Sequence, residues 1–290
     1  MRRNFTGMAA ATVVGAFALL VILFFGSRHW DTVLASNEKQ GERMAEKVDQ
    51  SEAQRVEAKV ARYSPVHQPR SILDDLHYMA ALKEKNHDET PIRISTLGSS
   101  VSAGAGASSF AASWVGQLLN YLRVDQGLFN TEIYSSGYAG YSTSSLLEEK
   151  KYEAVISQQP QVVLLETSLQ NDHSQAVPVE TSMSNIKALV QILHSKLPEA
   201  EIVLLSANPK GVEKDIRNNI GLTMDDYAAA AKKLAEAKKW NYMDVYAYYR
   251  SQYKDNLDTI LVDGVKPNDK GHVVWFEAVR LGFEKKRDAH

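Results

Sequence analysis

Residues 161–172 read QVVLLETSLQND, an apolar run that ends in a cluster of polar residues. A second run of the same kind, EIVLLS, lies at 201–206. Both runs are apolar at consecutive positions, so both faces of each strand must be buried. This is typical of parallel strands that are packed between two layers of helices.

The rest of the chain from residue 92 alternates strands with helices. Further strands are predicted at 92–97 (IRISTL), 131–135 (TEIYS) and 241–245 (NYMDV). Helical stretches are predicted between and after the strands, at 111–123, 143–158, 180–197, 224–239 and 269–285. This order predicts an α/β fold, a doubly wound five-stranded parallel sheet, which binds ligands at the carboxyl ends of its strands.

Composition limits the classes of function. The chain has 290 residues, 44% of them hydrophobic and 23% charged, which is typical of a globular protein. The net charge of −2 gives no basic field for nucleic acid, so no nucleic-acid partner is expected. The absence of cysteine excludes disulfides, thiolate metal sites and a cysteine nucleophile. No two histidines have metal-ligand spacing, and no metal or cofactor is expected.

The N-terminus carries an uncharged run, MAAATVVGAFALLVILFFG, at 8–26. As a helix it would be about 28 Å long, close to the thickness of a bilayer core. A cleaved signal peptide usually has a shorter apolar region. The run therefore predicts an uncleaved signal anchor, with residues 1–28 as a transmembrane segment. Arg2 and Arg3 precede it, which favours a cytoplasmic N-terminus and an extracytoplasmic main domain.

Residues 29–70 are predicted to form a charged helical stalk and linker, followed by the main domain at 71–290. Within 37–62, apolar residues recur at spacings of four and eight on one thin stripe, at Met44, Val48, Val56 and Val60. A solvated stalk and a short coiled coil that makes a homo-oligomer both fit this stripe. Pro65 and Pro69 are expected to end the helix.

Four loops that follow the strands carry the candidate chemistry. They read GSSVSAGAGASS at 98–109, SSGYAGYSTS at 135–144, TSLQNDHS at 167–174 and DGVKPNDKGH at 263–272. Serine can act as a nucleophile, whereas glycine amides and an asparagine side chain can stabilise an oxyanion. An aspartate beside a base can help to activate the serine.

In order and placement these loops resemble the four sequence blocks of the SGNH (GDSL-type) hydrolases, serine esterases and acyl-transfer enzymes with a flavodoxin-like sheet. The resemblance covers about 92–285. The usual GDSxxxG appears as 98–104, with Ser99 in place of aspartate. The usual NxGxxG appears as 135–140, with Ser135 in place of asparagine. The usual GxND appears as 169–172, with Leu169 in place of glycine, and DxxHPN appears as 263–268.

The resemblance implies a role for each matching residue. Ser100 would be the nucleophile, and Asp263 would orient the base. The amides of Ser100 and Gly137 and the side chain of Asn171 would form the oxyanion hole. The catalytic histidine of the family, however, is replaced here by Lys266.

Four interpretations of the missing histidine remain open. Lys266 could be the base, although lysine has an ordinary pKa near 10.4 and Asp263 nearby would hold it charged. His272, oriented by Asp269, could substitute, although a helix would carry it roughly 9 Å along from Lys266. His173 in the third loop could reach across to the serine. Finally, the site could be impaired and serve for binding.

The predicted function is therefore that of a membrane-anchored, extracytoplasmic serine esterase or acyl hydrolase. Its expected substrates are ester-bearing small molecules or glycans, such as acetylated cell-envelope polysaccharide. The alternative is a catalytically impaired binding or accessory module of a cell-envelope complex.

Overall fold

The computed structural model describes the backbone of residues 6–65, 70–211, 216–254 and 256–287. The side chains of the first helix are described only from residue 28 onward, with gaps. Contacts divide the chain into two compact units, residues 1–59 and 60–290.

Helix α1 runs from Thr6 to Tyr63 and makes up the described part of the first unit. It includes the predicted stalk at 37–62. Two residues of the apolar stripe, Met44 and Val48, are 62% and 56% exposed. The side chains of the predicted anchor at 8–26 lie outside the described part. Among the residues that could be searched, no helix is long and apolar enough to span a membrane.

The second unit alternates strands with helices. Its main strands are β1 (Ile92–Ser99), β2 (Thr131–Tyr138), β3 (Val162–Glu166), β4 (Glu201–Leu205) and β5 (Asn241–Met243). Two short strands, β6 (Leu261–Val262) and β7 (Lys266–Pro267), form a separate hairpin. Its helices are α2 (Ile72–Lys85), α3 (Trp114–Asn120), α4 (Thr143–Glu148), α5 (Tyr152–Gln158), α6 (Leu169–Ser174), α7 (Val179–Lys196), α8 (Met224–Lys238), α9 (Val245–Tyr253) and α10 (Asp269–Glu284).

The five main strands form one parallel sheet in the order β2-β1-β3-β4-β5, which confirms the predicted doubly wound sheet. Every residue of β3 is buried, and so are four of the five residues of β4. The apolar runs at 161–166 and 201–206 are therefore covered on both faces, as their sequences require. Two hydrophobic clusters fill the space on either side of the sheet.

The prediction of one continuous helix at 143–158 is wrong. The chain forms α4 and α5 with a turn between them, because Lys150 adopts a left-handed conformation (φ 50°). Pro267, just before the last predicted helix, belongs to β7. The helix begins at Asp269, where the Asn268 side chain accepts a hydrogen bond from the Gly271 amide at 3.1 Å.

The segment before α2 and the segment after α10 meet at the amino edge of the sheet. Arg70 and Arg287 form an antiparallel bridge, in which the Arg287 amide donates to the Arg70 carbonyl at 2.7 Å. Asp75 forms ion pairs with both arginines. Arg287 also pairs with Glu201, the first residue of β4, at 2.9 Å. The carboxyl edge, at the other end of the strands, carries the candidate site.

Candidate active site

The register of β1 and β2 brings the first two loops together. Gly98 pairs with Gly137, and Ser99 pairs with Tyr138, at the carboxyl ends of the two strands. A Cβ atom on Gly137 would lie 2.6 Å from the Ala103 amide nitrogen, so only glycine allows this approach. The Gly137 backbone therefore lies directly against the loop that carries Ser100.

Ser100 begins a short 3-10 turn, Ser100–Ala103, that follows β1 directly. The turn is fixed from three sides by hydrogen bonds that do not involve Ser100. Ser99 Oγ accepts from the Val101 amide at 3.4 Å, and the Val101 carbonyl accepts from Trp114 Nε1 at 2.8 Å. Thr96 Oγ1 donates to the carbonyl of Ser102 at 2.8 Å. The half-buried Ser100 side chain is thus carried on a rigid turn at the edge of the sheet.

Asn171 lies on α6, the short helix that follows β3. Its Nδ2 donates to the Tyr141 carbonyl in the second loop at 2.8 Å. Since an amide nitrogen has two hydrogens, this bond uses one of them and orients the other. The neighbouring Asp172 accepts hydrogen bonds from the Thr143 amide at 2.7 Å and from Thr143 Oγ1 at 2.8 Å. Burial raises the pKa of the Asp172 carboxyl, in spite of these bonds.

Asp263 and Lys266 form an ion pair at the β6–β7 hairpin. Lys266 Nζ lies 2.8 Å from Asp263 Oδ2, and both side chains are exposed. Desolvation pushes the pKa of Asp263 upward, but hydrogen bonds from the Lys266 side chain and amide outweigh it, so the pKa lies below its usual range. The Lys266 ammonium is thus engaged by the Asp263 carboxylate.

The hairpin of Lys266 packs against the first loop at Gly106. A Cβ atom on Gly106 would lie 2.1 Å from the Pro267 carbonyl and 3.1 Å from Lys266 Cβ. Gly106 also has a φ of 100°, a backbone conformation that residues other than glycine rarely adopt. The structure therefore brings the Ser100 loop and the Lys266 hairpin together, as the strand order predicts. Within the described residues, no hydrogen bond joins Lys266 or a histidine to the Ser100 hydroxyl.

The carbonyl of Val265 is held by two buried amides. Asn208 Nδ2, from the loop after β4, donates to it at 2.9 Å, and Gln170 Nε2 donates at 3.3 Å. Gln170 Nε2 also donates to the carbonyl of Asn208 at 2.8 Å. These two side-chain amides hold the hairpin beside the third loop. They bind it at Val265, one residue before Lys266.

His272 does not fit the role of substitute base. Its side chain is fully buried, its Nδ1 accepts from the Trp114 amide at 3.2 Å, and its Nε2 donates to the Ala105 carbonyl at 3.2 Å. Neither ring nitrogen can accept a proton from Ser100 in this arrangement. Burial lowers the pKa of His272 to about 4, so the ring is neutral. Asp269, expected to orient it, instead accepts hydrogen bonds from the amide and hydroxyl of Ser108 at 2.7 Å.

His173 is also engaged away from Ser100. Its Nε2 donates to the Ile216 carbonyl at 2.9 Å, and its Nδ1 lies 2.9 Å from Lys210 Nζ. Lys210 is buried and also donates to Ser174 Oγ at 2.8 Å. His173 therefore packs inside the third loop rather than reaching across to the serine.

Sequence reasoning missed several residues that build the site. Gln170, Asn208 and Lys210 belong to this group, and so does Glu166, a buried carboxylate at the end of β3. The signal was present in SANPKG at 206–211, because this loop also follows a parallel strand. Among the described residues, no group of histidine, aspartate and glutamate side chains could hold a metal ion.

The sequence profile of the GDSL-like Lipase/Acylhydrolase family matches residues 96–274, more than half of the chain. The match contains the turn of Ser100, the loop of Asn171 and the hairpin of Lys266. No curated protein sequence matches the chain.

Solved structures of similar fold include three esterases or lipases. A catalytic mutant of Axe2, an acetylxylan esterase from Geobacillus stearothermophilus, is 18% identical with a TM-score of 0.55, covering 69% of this chain and 98% of that one. A putative GDSL-like lipase from Parabacteroides merdae is 19% identical with a TM-score of 0.54, covering 66% and 97%. A lipolytic protein of the G-D-S-L family from Veillonella parvula is 15% identical with a TM-score of 0.52, covering 66% and 97%.

Proposed function

The chain belongs to the GDSL-like lipase/acylhydrolase family, a family of ester hydrolases, and on this premise we propose that Ser100 is its nucleophile. The observation that carries the proposal is the meeting of Ser100, Gly137, Asn171 and the Lys266 hairpin at one edge of the sheet. This meeting supports the roles that the family blocks imply for these residues.

The proposed reaction proceeds through an acyl-enzyme. Ser100 Oγ attacks the ester carbonyl carbon and loses its proton, and the alcohol leaves with a proton. Water then attacks the acyl group, which releases the acid and restores the serine. The amides of Ser100 and Gly137 and the second Nδ2 hydrogen of Asn171 stabilise the oxyanion. The hydrogen bond from Asn171 to the Tyr141 carbonyl keeps this donor oriented before substrate binds.

Lys266 takes the place of the histidine base in this proposal. Its ammonium is held by Asp263 and must lose a proton before the amine can accept the one from Ser100. Turnover is therefore slow at neutral pH and rises as the solution becomes alkaline. The contacts of His272 and His173 support this assignment, because both rings are bonded elsewhere.

The proposed substrates are acetyl esters of cell-envelope polysaccharide. An acetylxylan esterase among the structures of similar fold supports an acetylated glycan as substrate. The apolar run at 8–26 supports anchoring in the cell membrane, with residues 71–290 outside the cytoplasm. The thin apolar stripe on 37–62 supports pairing of two stalks as a coiled coil.

The test uses the full chain in detergent, with p-nitrophenyl acetate and acetylated xylooligosaccharides as substrates. We expect hydrolysis that increases from pH 7 to pH 9 and is abolished in Ser100→Ala. Lys266→Ala should lose the alkaline rise. Lys266→His should gain activity at pH 7, since histidine has an ordinary pKa of about 6.5. Ser109→Ala, an exposed serine of the same loop, is the matched control and should keep wild-type activity.

A second function, binding without turnover, is favoured by one observation. The exposed Asp263–Lys266 ion pair presents a cation where the family has its base, which suits a carboxylate or phosphate group of a glycan. Under this alternative, wild type and Ser100→Ala hydrolyse equally slowly at every pH, whereas Lys266→Ala weakens binding of an anionic oligosaccharide. Such a result would reject the hydrolase proposal.

A further inference from the structure

Glu166 is a buried carboxylate that belongs to none of the family blocks. It is the last residue of β3, is 1% exposed, and lies between the loop of Ser100 and the loop of Asn171. A buried carboxylate costs folding free energy unless it satisfies polar groups that need an acceptor. Its contacts therefore indicate what the residue is for.

Each oxygen of Glu166 binds a different loop. Oε2 accepts from the Ser99 amide at 2.6 Å, and Oε1 accepts from the Ser168 amide at 2.9 Å. Ser99 immediately precedes the nucleophile, and Ser168 lies three residues before Asn171. Ser168 has a φ of 52°, an unfavourable conformation for serine that this hydrogen bond helps to hold. One side chain thus fixes the spacing between nucleophile and oxyanion donor.

Glu166 also lies beside the residue that departs from the first family block. The usual GDS has aspartate where this chain has Ser99. The Ser99 hydroxyl lies close to the Glu166 carboxylate, so an aspartate at position 99 would bring a second carboxylate beside it. A Cβ atom on Gly98 would lie 2.6 Å from Glu166 Oε2, so only glycine fits at position 98.

We propose that Glu166 is a positioning residue that supplies, from β3, the carboxylate absent at position 99, and so holds Ser100 and Asn171 in register. The proposal rests on the esterase function for its kinetic consequence. Its structural part, the bridge between two backbone amides, does not depend on turnover. Glu166 does not touch the substrate.

The decisive variant is Glu166→Gln, which keeps the shape of the side chain. One carboxylate oxygen becomes an NH₂ group, so one of the two amides faces a donor instead of an acceptor. We expect kcat to fall about tenfold or more while KM stays within about twofold, because orientation is lost and substrate contacts are kept. Exchange of the Ser99 and Ser168 amide hydrogens should become about tenfold faster or more.

The rescue variant combines Glu166→Ala with Ser99→Asp. It returns the carboxylate to the usual family position, and we expect it to recover most of the kcat lost in Glu166→Ala alone. Ser99→Asp in the presence of Glu166 should instead lower activity, because two carboxylates then compete for one buried space. A side chain that served packing alone would not give this reciprocal pattern.

Two results would overturn the proposal. The first is wild-type kcat in Glu166→Gln together with unchanged exchange at Ser99 and Ser168. The second is a double variant no more active than Glu166→Ala. If the wild-type chain shows no hydrolysis that depends on Ser100, the esterase proposal fails, and the exchange of the two amides in the full chain still decides the role of Glu166.

Discussion

Acidification should destabilise the folded domain through His272. The native ring is neutral because its Nδ1 accepts from the Trp114 amide, and a protonated ring would place a second hydrogen against that donor. Burial lowers the pKa from 6.5 to about 4. Between these values the unfolded chain binds the proton and the native chain does not, so stability is present above pH 6.5 and is lost as the pH falls towards 4.

The magnitude follows from the width of this interval. A fall of the pKa from 6.5 to about 4, at about 1.4 kcal/mol per pKa unit, corresponds to about 3–4 kcal/mol of unfolding free energy. This is a large part of the total stability of a typical domain. The burial of Glu166 and Asp172 acts in the opposite direction, because carboxyl groups with raised pKa values stabilise the fold as the pH falls.

The assay therefore compares the pH dependence of wild type with that of a variant. Urea unfolding of wild type and of His272→Gln is followed by tryptophan fluorescence, since Trp114 and Trp275 are buried in the domain with their rings 5.8 Å apart. The carboxyl groups contribute equally to both proteins and cancel. We expect wild type to lose about 2–3 kcal/mol more than the variant between pH 7 and pH 4.5. Equal losses would refute the buried neutral ring.

Three further substitutions test contacts of the site. Gly106→Ala should lower the unfolding free energy by about 2 kcal/mol or more, measured in urea, because its Cβ meets Pro267 and its φ is positive; wild-type stability would contradict this contact. Asn171→Ala should reduce kcat by about 10²–10³ with little change in KM, as expected for a lost oxyanion donor; a change in KM alone would instead indicate a role in substrate binding. Asp263→Asn should change the unfolding free energy by less than about 1 kcal/mol, because its pair with Lys266 is exposed; a larger loss in urea unfolding would assign the pair a structural role.

The sheet could be predicted from the sequence because each strand can be recognised from a short stretch of residues. A run such as 161–166 has both faces apolar, and this alone requires cover on both sides. The order of strands and helices then places the loops of Ser100 and Asn171 at one edge. The split between α4 and α5 could not be predicted, because nothing in the periodicity of 143–158 signals the left-handed conformation of Lys150.

The roles of individual polar residues depend on contacts between distant parts of the chain. His272 has the spacing of a second DxxH motif, yet its partners are backbone atoms of residues 105 and 114, which no local pattern reveals. The role of Glu166 could not be predicted for the same reason, since its partners lie in two loops that only folding brings together. Residue type and order predicted where the site lies, but only the fold distinguished a buried structural ring from a base.

The bridge between Arg70 and Arg287 makes this domain suitable for circular permutation. The segments just before α2 and just after α10 meet beside Glu201, at the amino edge of the sheet. Ser100 lies past the far end of β1, whose eight residues span roughly 25 Å. A short linker could join the two ends without approaching the serine, and new termini could open in an exposed loop elsewhere. Tags or surfaces attached at either end would likewise leave the carboxyl edge accessible.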